Sequence, residues 1–88
     1  MDTEPLQARI EHESAELRAL YPHIRDCHAA LLRWTDAEGV HHALHLDIRW
    51  PQHQTLVSGE PREDAAAAIE AGFRTARARL HEAAWASR

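Results

Sequence analysis

Between Leu44 and Trp50 every second residue is large and apolar: Leu44, Leu46, Ile48 and Trp50. The residues between them, His45, Asp47 and Arg49, are polar or charged. Successive side chains of a strand point to opposite faces, so a period of two marks a strand with one face on a core. The strand reads as Val40–Trp50. Ahead of it Asp36-Ala37-Glu38-Gly39 has the composition of a turn, and residues 24–34 suit a partner strand. A hairpin turning between Ala37 and Glu38 sets Trp34 opposite His41 and Ala30 opposite His45. That register puts Cys27, Ala29 and Leu31 on the face of Leu44, Leu46 and Ile48. A slip of one residue would turn one set away from the core, so the two patterns agree on a single pairing.

The rest of the chain supplies what that face can pack against. Residues 3–21 read as a helix, with Thr3 as N-cap, Pro5 in the first turn and an apolar stripe of Leu6, Ile10, Leu17 and Leu20. Pro22 ends it, because a proline disfavours the helical conformation of the residue before it. Pro51 and Gln52 break the second strand, and Gln54–Ser58 makes a short third one. Glu63 and Asp64 then open a long helix, whose first turn favours negative charge. Its stripe is Ala65, Ile69, Gly72, Phe73, Ala76, Leu80 and Ala83. The order α-β-β-β-α predicts an α+β fold. It is a two-layer sandwich, with an antiparallel three-stranded sheet and both helices on one face.

Length and composition fit one domain over residues 1–88 with a thin core. Of the apolar residues 17 are alanine, and Leu, Ile, Val and Phe together number 16. The single cysteine, Cys27, excludes an internal disulfide. No apolar run reaches the roughly 18–20 residues that span a bilayer. The start, Met-Asp-Thr-Glu-Pro-Leu, has no basic stretch followed by an apolar one, so the expectation is a cytoplasmic protein with no membrane partner. The net charge is −4 and there is no lysine, which opposes nucleic-acid binding unless the arginines are gathered in one place.

Several segments, in order, carry a family resemblance. They are Pro5-Leu6-Gln7-Ala8-Arg9-Ile10 followed by Leu17 and Leu20-Tyr21-Pro22, and Ile24-Arg25-Asp26-Cys27-His28-Ala29. Leu44-His45-Leu46-Asp47-Ile48 closes in Trp50-Pro51. Val57-Ser58-Gly59 leads to Glu63-Asp64-Ala65 and Ala68-Ile69, and the run Phe73 to Leu80 follows. Together, over roughly residues 4–82, they resemble the ribosome hibernation promoting factors, also called ribosome-associated inhibitors. No single motif is specific; the order and spacing carry the likeness. The resemblance implies a fold like that of double-stranded-RNA-binding domains. It also implies a non-enzymatic translation regulator that binds rRNA in the decoding region of the small ribosomal subunit, with no cofactor. By the same resemblance Arg9, Arg18, Arg74, Arg77 and Arg79 would contact rRNA. Two departures stand out. Members begin with a further strand before the first helix, and they carry many lysines. The alternative reading is a diverged homologue without ribosome binding, acting as a protein-interaction or dimerisation module.

Other residues have a plain and a functional reading. Arg74, Arg77, His81 and Arg88 share one flank of the last helix, with Arg79 across the apolar stripe; they are either a phosphate-contacting surface or a solvated face. His41 and His45 lie about 13 Å apart along one strand, too far for one ion. His28, His45 and Asp47 could converge on a metal, but the chain has no zinc-type spacing, so no metal site is expected. Cys27 points to the core, away from His28, and is expected to act as a small apolar residue. No glycine-rich phosphate loop or nucleophile elbow is present, and no catalytic residue is assigned. Without the further strand, the stretch Cys27, His28, Ala29, Ala30, Leu31 and Leu32 becomes a bare sheet edge, with Trp34 beside it. The expectation is that a second copy covers it.

Overall fold

The computed structural model describes residues 4–86. It contains helix α1 (Glu4–Leu20), strands β1 (Asp26–Asp36), β2 (Gly39–Trp50) and β3 (His53–Ser58), and helix α2 (Ala65–Ala86). The sheet is antiparallel in the order β1-β2-β3. The fold is α+β, with the expected α-β-β-β-α order. Its thinnest extent is 17 Å, as two layers require. No helix among the described residues is long and apolar enough to cross a membrane.

The hairpin register is the expected one: Trp34 pairs with His41, Ala30 with His45 and Cys27 with Ile48. Its turn is held by Asp36, whose Oδ1 accepts the Glu38 N–H at 2.8 Å, and by Gly39, whose φ of 119° favours glycine. The apolar set of β2 is buried: Leu44 and Ile48 are fully covered, and Leu46 nearly so. They meet Val57 of β3, Leu17 of α1, and Ile69, Phe73, Ala76 and Leu80 of α2 in one cluster. Both helices therefore sit on one face of the sheet.

Each helix ends for a local reason. The last α1 bond runs from the Tyr21 N–H to the Leu17 carbonyl, and Pro22 then stops the helix. The Thr3 cap and Arg88 lie outside the described residues. Asp64 caps α2: its Oδ2 accepts the Ala67 N–H at 2.9 Å and its carbonyl accepts from Ala68. The expected acidic first turn is thus an N-cap, with the helix starting one residue later. Leu20 departs from its stripe and is 64% exposed. It lies on the last turn of α1, and the described residues leave most of it uncovered.

Candidate nucleic-acid interface

The five arginines implied by the resemblance do not gather into a free basic patch. Four of them are held by carboxylates. The Arg77 guanidinium donates to Glu13 across the two helices at 3.3 Å, and Arg9 reaches back from α1 to Glu70 at 3.7 Å. Arg74 lies 4.0 Å from the same Glu70, one turn along α2. Arg18 donates to Asp26 at 3.5 Å, tying the end of α1 to the start of β1. Arg79 is exposed and has no ion pair among the described residues. The α1–α2 seam thus carries three arginines against two glutamates. Every one of these groups is partly in water, and exposed pairs of this kind contribute at most about 1 kcal/mol each.

The outer sheet face is bare of helices. Leu32, Trp34 and Leu56 are exposed on it, at 42%, 39% and 66%. Ala43 also points outward, opposite Leu32, yet is buried. Trp34 stacks on His41, with ring centroids 5.5 Å apart, and the His41 ring lies 2.8 Å from Asp36. This hydrogen bond, with that from the Glu38 N–H, holds the Asp36 carboxyl below the usual carboxylate range. At the far end of the face Gln54 donates to Asp47 at 2.7 Å, and Arg49 lies 3.4 Å from the same carboxylate. Gln54 first, and Arg49 after it, keep Asp47 low as well. His28 and Asp47 are cross-strand partners, as the register implies. His28 pairs instead with Asp26 at 3.3 Å. Among the described residues no group of three or more His, Cys, Asp and Glu could hold a metal ion.

Cys27 is half-buried on the inner face, at the edge beside α1. Burial pushes its thiol up, against the lowering pull of Arg18 and a hydrogen bond with Ser14. It is therefore mostly a neutral thiol at pH 7, poorly suited to nucleophilic work. The edge residues His28 and Ala30 are exposed, and Ala29 and Leu31 half-buried.

One feature escaped the sequence reading. An apolar cleft of about 540 Å³ opens between the end of α1, the β2–β3 turn and the end of α2. Leu20, Tyr21, Pro22, Trp50, Pro51 and His53 line it. Trp50 stacks on His53 at 5.1 Å and donates its indole N–H to Thr55 at 3.1 Å. Its signal was the aromatic–proline pair occurring twice, Tyr21-Pro22 and Trp50-Pro51. Each marks an element end that leaves a ring at the rim.

Compared with known proteins, the chain matches no family model, no curated protein and no solved structure.

Proposed function

We propose that the chain is a non-enzymatic, cytoplasmic regulator of translation. It binds the small ribosomal subunit in the decoding region and excludes mRNA and tRNA, as the hibernation factors that it resembles do. The observation that carries this reading is the order of the fold. The segments that resemble the family form a helix, three antiparallel strands and a helix, with both helices on one sheet face. Arg74, Arg77 and Arg79 project into solvent from α2, with Arg9 and Arg18 on α1. An arginine held by an exposed carboxylate keeps a fork of donors, and a phosphate oxygen can replace the glutamate at small cost. Binding then exchanges Glu13 and Glu70 for rRNA phosphates, and the displaced carboxylates limit affinity. The test is co-sedimentation of the chain with purified small subunits at low and moderate salt. The expected result is pelleting that weakens as salt rises, since each neutralised phosphate releases counterions. Absence from the pellet at low salt refutes the reading.

A second reading is a protein-interaction module that does not bind ribosomes. It is favoured by the ion-paired arginines and by Leu32, Trp34 and Leu56 standing exposed on a sheet face without a helix.

A further inference from the structure

Strand β1 is 11 residues long and, among the described residues, pairs on one side only. The direction of its free backbone groups follows from its neighbours. The Leu44 carbonyl accepts from the Gly59 N–H at 2.8 Å, and His42 exchanges hydrogen bonds of 2.6 and 2.8 Å with Arg62. Even-numbered residues of β2 therefore turn their backbone groups away from β1, and odd-numbered ones toward it. In the observed register those odd residues lie opposite the even residues of β1. The backbone groups of His28, Ala30, Leu32 and Trp34 are thus used on β2. Those of Cys27, Ala29, Leu31 and Arg33 point out of the sheet edge.

Long natural edges are guarded by lysine, proline, bulges or inward charges. Cys27 to Leu32 has no lysine, proline, arginine or carboxylate, and the pairing through it is continuous. The opposite edge, β3, is only six residues and runs directly into Gly59 and Pro61. Helix α1 does not close the β1 edge either. A groove of about 340 Å³, lined by Ser14, Ala15, Arg18, Cys27 and Ala29 among others, stays open between them.

We propose that this edge pairs with β1 of a second copy. The two strands run antiparallel about a two-fold axis through Ala30, joining two three-stranded sheets into one, with all helices on the same side. Charge excludes the two registers next to it. Outward backbone groups must meet outward backbone groups, so a symmetric pairing centres on a residue. Centred on Ala29, it sets Arg25 against Arg33 of the second copy. Centred on Leu31, it sets Asp26 against Asp36. Like charges directly opposite are unfavourable in a sheet. Centred on Ala30, every charged side chain meets a neutral one: Asp26 faces Trp34, Arg33 faces Cys27, and His28 faces Leu32. Leu32 and Trp34 then lose exposed apolar surface. The proposal deepens the protein-interaction reading by naming a second copy as the partner, and it stands or falls independently of ribosome binding.

The test is sedimentation of the full chain at high micromolar concentration, with two variants. The wild type sediments as a dimer. Ala30 is exposed, so Ala30→Glu keeps the fold, checked by circular dichroism. It sets two carboxylates against each other on the axis and weakens the dimer on the order of tenfold or more. Across the axis Ala30 is a non-hydrogen-bonded pair with Cα atoms about 4.5 Å apart, inside the range of a disulfide. Ala30→Cys in a Cys27→Ser background therefore forms a covalent dimer with oxidised glutathione. Leu56→Cys in the same background, on the other edge, does not. A monomeric wild type, a dimer indifferent to Ala30→Glu, or no cross-link at residue 30 overturns the proposal.

Discussion

Helix α2 comes close to the backbone just after β3 where two glycines meet, and one methyl group there should push the layers apart. A Cβ built on Gly59 would lie 2.6 Å from the Gly72 Cα, 3.0 Å from its nitrogen and 3.2 Å from the Leu44 carbonyl oxygen. All three are backbone atoms, so no rotamer change relieves them. Ordinary contact needs about 3.4–4 Å, and the gap must widen by roughly 1 Å. The Gly59 N–H is tied to the Leu44 carbonyl, which leaves the helix to move. Behind it lie Ile69, Phe73, Ala76 and Leu80, all fully buried, so the movement loosens most of the core. Overpacking costs about 1–3 kcal/mol, and a backbone obstacle puts Gly59→Ala near the upper end, about 2–3 kcal/mol. For a domain of this size that lowers Tm by about 10–20 °C. Gly72→Ala meets the Leu44 Cβ at 2.6 Å and its Cδ2 at 2.8 Å. It recovers about 1 kcal/mol of helix propensity, so it should cost less than Gly59→Ala. Thermal melts followed by far-UV circular dichroism measure both. A Gly59→Ala chain melting within about 2 °C of wild type would refute the close approach of α2.

Further outcomes follow from the same geometry. Phe73→Ala empties the centre of the core and should cost about 3–5 kcal/mol, enough to unfold most of the population of a marginally stable domain in a urea titration. Glu13→Gln with Glu70→Gln frees Arg9, Arg74 and Arg77; it should strengthen binding to small subunits and steepen its salt dependence while moving the melt little. Asp36 should titrate below ordinary carboxylates when followed by carboxyl-carbon NMR. Because its folded pKa is lowered, the stability it contributes is present above the unfolded value and lost as pH falls through the folded one. His41→Ala should raise the Asp36 pKa and flatten that acid-side loss.

The hairpin was legible because two alternating patterns had to agree. Leu44, Leu46 and Ile48 on one strand and Cys27, Ala29 and Leu31 on the other are compatible with one register, and the structure has it. The α2 stripe was legible for the same reason of period, since Ile69, Phe73, Ala76 and Leu80 recur at helical spacing. Leu20 shows where period fails. A residue can share a stripe and still lie beyond the end of the element it should cover. The arginines show a deeper limit. Glu13 and Arg77 are 64 residues apart, and only the packing of α1 on α2 brings them together. Read along the chain, Arg74 and Arg77 are a basic flank; in space they share a seam with acids from the other helix. Gly72 belongs to the α2 stripe and Gly59 follows β3, but their contact depends on the depth of helix packing, which no local pattern encodes. Ala30 directs its N–H to β2, so the outward donors belong to Cys27, Ala29 and Leu31, and a proline at Ala30 would break the hairpin before the edge.

The most direct test of the central claim is equilibrium binding of the labelled chain to purified small ribosomal subunits at low salt. The wild type is compared with Arg74→Glu, Arg77→Glu and Arg79→Glu combined in one chain. All three side chains are exposed, so the variant should keep its circular dichroism and its sheet. Salt-sensitive binding by the wild type, abolished in the variant, is the result this account predicts. Equal binding by both chains, or none by the wild type, would contradict it.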